Sequence, residues 1–155
     1  MTDVSIELLA DFPQYAEVIG RWHFDEWGHE DPSGTLEWWI ARLAESAGRG
    51  ELPTVWVALA DGAPAGSIAL IDFDMDIHRD VSPWLAGLFV ATEFRGLGIA
   101  AELVRTCERG AAALGAASLY LQTEIPDFYA RLGWREYARE HYLGDDVVVM
   151  VRDLP

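Results

Sequence analysis

The stretch that most limits what this chain can fold into runs from Leu85 to Val104. Its apolar first part, ending at Val90, predicts a buried strand. Five residues follow, and Gly96 and Gly98 then lead into a segment with helical spacing. Glycines at these two positions allow a tight turn and the close approach of a ligand to the backbone. The helix that follows begins with unpaired N–H groups and the positive end of its dipole. A strand, turn and helix of this kind hold an anion, phosphate above all.

Two phosphate-bearing ligands compete for the turn. Gly96-x-Gly98-x-x-Ala101 matches the loose dinucleotide fingerprint, with Glu124 at the end of the next predicted strand where a ribose-binding acid would stand. In that motif, however, the turn follows its strand at once, whereas Ala91 to Arg95 intervene here, and the chain after Glu124 is short for the crossover units of such a sheet. No Gly-x-x-x-x-Gly-Lys-Ser/Thr loop is present, and the chain has no lysine at all. The spacing Arg95-x-x-Gly98-x-Ala100 instead resembles the acyl-CoA signature of the GNAT N-acetyltransferase superfamily. A second stretch, Asp127-Phe-Tyr-Ala-Arg-Leu-Gly-Trp134, is similar to that family's phenylalanine-tyrosine helix running into a glycine-aromatic strand. The two motifs stand in the family's order, and the resemblance covers about residues 53 to 152.

Length and composition bound the rest. A chain of 155 residues, 51% hydrophobic and 12% aromatic, is expected to form a single globular domain over 1–155. No apolar run is long enough for a membrane span and no basic-then-apolar leader opens the chain, so the expected place is the cytoplasm, with no membrane partner. The balance of 11 basic against 26 acidic residues, net −15, with every basic residue an arginine, argues against nucleic acid and suits a cationic partner. A lone cysteine, Cys107, leaves no internal disulfide and reads as a core residue. His23, His29, His78 and His141 lack ligand spacing, so no metal is expected.

Along the chain, Val4 to Leu9 predicts a strand. A helix starts near Asp11-Phe-Pro13 with Val18, Trp22 and Glu26 on one face, and a second runs from about Thr35 to Ala47. Pro53 to Ala60 and Ala65 to Phe73 predict strands joined across Asp61-Gly-Ala-Pro64, and the strand ending at Val90 comes next. The helix after the turn carries Ile99, Leu103, Cys107, Ala111 and Leu114 as its core stripe and stops at Gly115. Ser118 to Thr123 is a strand, Pro126 to Leu132 a short helix, and Trp134 to Glu140 and Val147 to Arg152 the closing strands. This α/β (α+β) order predicts a mixed central sheet of about seven strands flanked by about four helices, which is also the element order of the GNAT fold.

The resemblance implies an N-acetyltransferase that moves the acetyl group of acetyl-CoA to a primary amine, on a small cationic molecule or a peptide, by direct attack on the thioester. The coenzyme A arm would pair with backbone groups of Leu88, Phe89 and Val90, and its pyrophosphate would lie on the N–H groups of Arg95, Gly96, Leu97, Gly98, Ile99, Ala100 and Ala101. Tyr129 matches the family's general acid. Some members carry a glutamate as general base where this chain has Trp84, so Glu124 is the first substitute, with Asp72, Asp74 and His78 behind it. The loop between the first two helices overhangs the substrate groove in this family, which points to His23, Trp27 and Glu30, with Asp74, as an acceptor site: an aromatic wall and carboxylates for a cation. Family members are often dimers, and no residue here marks an interface. Two other readings stand beside this one: a non-catalytic acyl-CoA sensor, which would need neither Tyr129 nor a base, and a nicotinamide-dependent oxidoreductase.

Overall fold

A computed structural model describes residues 1–155. Seven strands, β1 (Val4–Leu8), β2 (Thr54–Ala60), β3 (Ala63–Ile71), β4 (Trp84–Val90), β5 (Ser118–Thr123), β6 (Arg135–Tyr142) and β7 (Asp145–Asp153), form one sheet in the order β1-β2-β3-β4-β5-β7-β6. Four helices cover it: α1 (Ala16–Trp27), α2 (Leu36–Glu45), α3 (Ile99–Ala113) and α4 (Pro126–Ala130). Every neighbouring pair is antiparallel except β4 and β5. The expected count and order of elements are therefore present. A single parallel pair is incompatible with the doubly wound parallel sheet that the nicotinamide reading requires.

Two layers of apolar side chains hold the helices to the sheet. On one face Leu103, Val104, Cys107 and Ala111 of α3 meet Ile68, Leu70, Leu119, Leu121 and Met150. On the other, Ile19 of α1 and Leu43 of α2 meet Val55, Val57 and Leu59. The alternation along β2 and β3 assigns successive residues to opposite faces and so feeds both layers. Each such leucine or isoleucine, once buried, contributes about 1.5–3 kcal/mol. A smaller cluster, Met75, Trp84, Val147 and Val149, lies beneath the connection from β3 to β4.

Three local readings change. The buried face of α1 is Ala16, Ile19, Gly20 and His23, while Val18 and Trp22 are half-buried and Glu26 is exposed, so the helix is rotated by about one residue from the expected stripe. The hairpin between β2 and β3 is tighter than expected: Asp61 (φ 50°) and Gly62 (φ 83°) make the whole turn, and β3 begins at Ala63. Leu143 (φ 50°) and Gly144 (φ 87°) likewise close β6 onto β7. Leucine is a poor left-handed residue, so this turn carries no sequence signal. The long register from Tyr142–Asp145 to Arg135–Val151 imposes it.

Candidate active site

β4 determines the site because it belongs to two different neighbours. Toward β3 it pairs along its length, but with one extra residue: Ser67 faces Phe89 and Ala69 faces Ala86, so Gly87 and Leu88 together oppose Ile68. Gly87 has φ +63°, a left-handed conformation that suits glycine at a bulge. Toward β5 the ladder consists of Trp84 with Tyr120 alone. Beyond that pair the strands separate. Trp84 and Leu85 are buried, whereas Ala86 to Val90 are half-buried. A cleft thus opens between two parallel strands, with Leu88 and Val90 along its β4 side, whereas Phe89 pairs with Ser67 and turns its carbonyl to β3.

The glycine turn stands at the mouth of this cleft. Gly96 (φ +83°) and Gly98 (φ +77°) are both left-handed, and a Cβ at either would meet nothing within 4 Å. The space above the turn is therefore open. Gly98 caps α3 without any side-chain hydrogen bond. The first intrahelical bond is Glu102 N–H to Gly98 O, leaving the N–H groups of Ile99, Ala100 and Ala101 without helical partners. Arg95 to Gly98 are exposed, while the Ile99 side chain is in the core, so Ile99 can serve a ligand only through its backbone. The Arg95 Nε donates to Val90 O at 3.0 Å, and its guanidinium stands 5.9 Å from the Phe89 ring centre. An elongated molecule with amide groups in its arm and a pyrophosphate at its end fits this combination of open strand edge and uncapped helix start.

After β5, α4 carries Tyr129, which is 6% exposed and packed edge-on to Phe128 and Trp134. Its hydroxyl makes no hydrogen bond within the chain. Burial pushes its phenol well above the ordinary tyrosine value, so it keeps its proton across the neutral and mildly alkaline range.

Carboxylates from four separate segments meet near the upper end of β5. Glu30 is in the turn after α1, Asp74 in the β3–β4 connection, Glu124 just after β5, and Asp145 at the start of β7. Desolvation raises the Glu30 carboxyl, and Asp145, Asp74 and Glu124 push the same way, with His29 opposing. One ligand atom each of His29, Glu30 and Asp145 lies within 4.8 Å of the others. Asp74 is the best held of the four: Gln122 Nε2 donates to its Oδ2 at 2.9 Å. Burial raises its carboxyl, with Gln122 and then Arg42 pulling it down. Gln122 is two residues beyond Tyr120 on β5, at the point where β4 departs.

The other expected residues fall differently. His23 is 7% exposed and sits beneath β4, with Nε2 2.9 Å from Ser67 Oγ, and Trp27 packs edge-on against it with ring centres 5.0 Å apart. Trp84 is fully buried and donates its indole N–H to Val81 O at 2.8 Å, so no carboxylate stands at that point of β4. Gly87, Ser67, Gln122 and Asp145 escaped the sequence reading. A glycine inside an apolar run is a recognised bulge signal, so Gly87 could have been found. The other three are brought in by strand order and have no local signal.

A sheet of this topology, split at one parallel pair and followed by a glycine turn into a helix, defines an acyl-CoA-dependent transferase. The sequence model described as an acetyltransferase (GNAT) domain matches residues 51–136, and the chain belongs to that family. It is an acetyltransferase whose acetyl donor is acetyl-CoA. Solved structures agree on the fold. An N-acetyltransferase from Staphylococcus aureus Mu50 superposes with a TM-score of 0.76 at 16% identity, covering 99% of each chain. An aminoglycoside 6'-N-acetyltransferase complexed with coenzyme A gives 0.75 at 17% identity, over 97% of this chain and 96% of that one. Ard1 from Thermoplasma volcanium gives 0.73 at 16% identity, over 98% of both. No curated protein matches the chain in sequence.

Proposed function

We propose that this acetyltransferase acts on a primary amine of a cationic small molecule or peptide, which enters across the wall formed by Glu30, Asp74, Glu124 and Asp145. The observation that carries this reading is the convergence of those carboxylates, from four segments distant in sequence, with Glu30 raised by desolvation and further by the other three. A cation bound there relieves their mutual repulsion. The whole of residues 1–155 acts as one domain, in the cytoplasm. No helix is long and apolar enough to cross a membrane.

Acetyl-CoA supplies an acyl group activated as a thioester. Leu88 and Val90 would bind its arm along the open edge of β4, and Arg95 to Ala101 would hold its pyrophosphate through backbone N–H groups. Asp74, fixed by Gln122, takes the proton from the acceptor ammonium. Its raised carboxyl is better matched to that task than an ordinary aspartate. Glu124, the base expected from sequence, is exposed and lines the acceptor wall. Tyr129 holds the proton that the departing thiolate needs.

The test is thiol release from acetyl-CoA with a panel of amines: a polyamine, an aminoglycoside, a peptide with a free amino terminus and a neutral amine of similar size. Cationic acceptors are expected to give the higher kcat/KM. Preference for an anionic or neutral acceptor would overturn the assignment.

A further inference from the structure

His23 is a buried imidazole under the reaction cleft, and the mechanism above gives it no task. Its surroundings are specific. His23 Nε2 is 2.9 Å from Ser67 Oγ, and Ser67 Oγ is 3.0 Å from Gly87 O. A serine has one hydroxyl hydrogen, and a carbonyl oxygen can only accept. Both contacts are hydrogen bonds only if Ser67 donates to Gly87 O and His23 donates from Nε2 to Ser67. The imidazole therefore carries a proton on Nε2, and burial, opposed by a backbone hydrogen bond at Gly87, lowers its pKa to about 4 and keeps the ring neutral. Packing is close as well: a Cβ on Gly87 would come within 3.1 Å of His23 Cε1.

The bond between Gly87 and Leu88 is trans, so its C=O and N–H point in opposite directions. With the Gly87 carbonyl turned toward β3 and α1, the Leu88 N–H is turned toward the side where β4 and β5 separate. We propose that His23 and Ser67 are positioning residues for acetyl transfer: the chain from His23 Nε2–H through the Ser67 hydroxyl to Gly87 O fixes and polarises the bulge peptide, so that the Leu88 N–H is aimed at the thioester oxygen. A chain of hydrogen bonds running in one direction strengthens each donor along it, the terminal amide included. Preorganised donors of this sort are often the largest electrostatic contribution in acyl transfer. The inference rests on the reading that Leu88 and Val90 face the acetyl-CoA arm.

The test needs no acceptor. Acetyl-CoA labelled with 13C at the carbonyl is bound to the wild type and to Ser67→Ala, Ser67→Thr and His23→Leu, and its infrared carbonyl band is read with its dissociation constant. In the wild type the band moves to lower frequency on binding. Ser67→Ala and His23→Leu return it toward the free value while affinity changes less than about threefold, and Ser67→Thr, which keeps the hydroxyl, restores the shift. The ligand-free protein gives a second readout: the Leu88 amide proton resonance moves upfield in Ser67→Ala, and 15N spectra show His23 as the Nε2–H tautomer at neutral pH. An unchanged band in Ser67→Ala, or no band shift in the wild type, overturns the proposal and leaves acetyl-CoA binding intact. If acetyl-CoA fails to bind the wild type at all, the functional reading falls first and this inference with it.

Discussion

Tyr129 carries the sharpest expectation at the scale of single residues. Its hydroxyl has no partner in the chain and its phenol stays protonated, so Tyr129→Phe should lower kcat about a hundredfold while KM for acetyl-CoA stays within about twofold. Steady-state thiol release checks this, and full turnover would remove Tyr129 from the chemistry. Asp74→Asn should abolish the acid limb of the kcat/KM profile, a limb that in the wild type lies above the ordinary aspartate value because burial raises the carboxyl. Glu124→Gln should leave that limb in place and raise KM for the amine. His23 predicts a stability effect with a definite sign. Its folded pKa, about 4, is below the ordinary 6.5, so between those values the unfolded chain binds a proton that the folded chain refuses. The contribution is complete above pH 6.5 and is lost as pH falls toward 4, up to about 3 kcal/mol. Urea unfolding of wild type and His23→Gln at pH 7.5 and 5.0 should show the wild type losing more. Tyr129 was legible in the sequence because its helix and following strand are contiguous. His23 was legible as a residue and misplaced, because the helical phase through Ile19, Gly20 and His23 turns it inward rather than to the groove.

The decisive elements are the bulged strand and the turn before α3. Gly98 holds φ +77° beside open space, so Gly98→Ala meets no clash but pays the left-handed backbone cost, about 1–2 kcal/mol. A thermal melt should fall by a few degrees, and acetyl-CoA affinity should drop because the N–H groups of the turn shift. Gly87→Ala is harsher, since positive φ combines with contact against the His23 ring. There the expected loss is in kcat, measured at saturating acetyl-CoA. The turn could be read in advance because glycine spacing and helix start are local. The register slip at Gly87 and the parting of β4 from β5 could not, since both depend on which strands become neighbours. The same limit hid Leu143 in its tight turn.

For the molecule as a whole, the net charge of −15 is not spread without pattern: four carboxylates gather beside the end of β5, while the glycine turn after β4 offers backbone N–H groups and Arg95. Acceptor binding should therefore weaken with salt, with KM for a polyamine rising as ionic strength moves from about 0.01 to 0.15 M and the Debye length falls from about 30 to 8 Å. The charge balance was plain from composition. Its convergence was not, because Glu30, Asp74, Glu124 and Asp145 meet only once the sheet order β5-β7-β6 brings the last hairpin beside the end of β5. Everything proposed for the chemistry depends on the cleft between β4 and β5, with its glycine turn, holding acetyl-CoA. Thermal unfolding with acetyl-CoA at about a hundredfold its dissociation constant tests this most directly, against the same concentration of a nicotinamide dinucleotide. Acetyl-CoA should add about 2.7 kcal/mol of stability, roughly 5 to 10 °C, and the dinucleotide none. An unmoved transition with acetyl-CoA would contradict that binding.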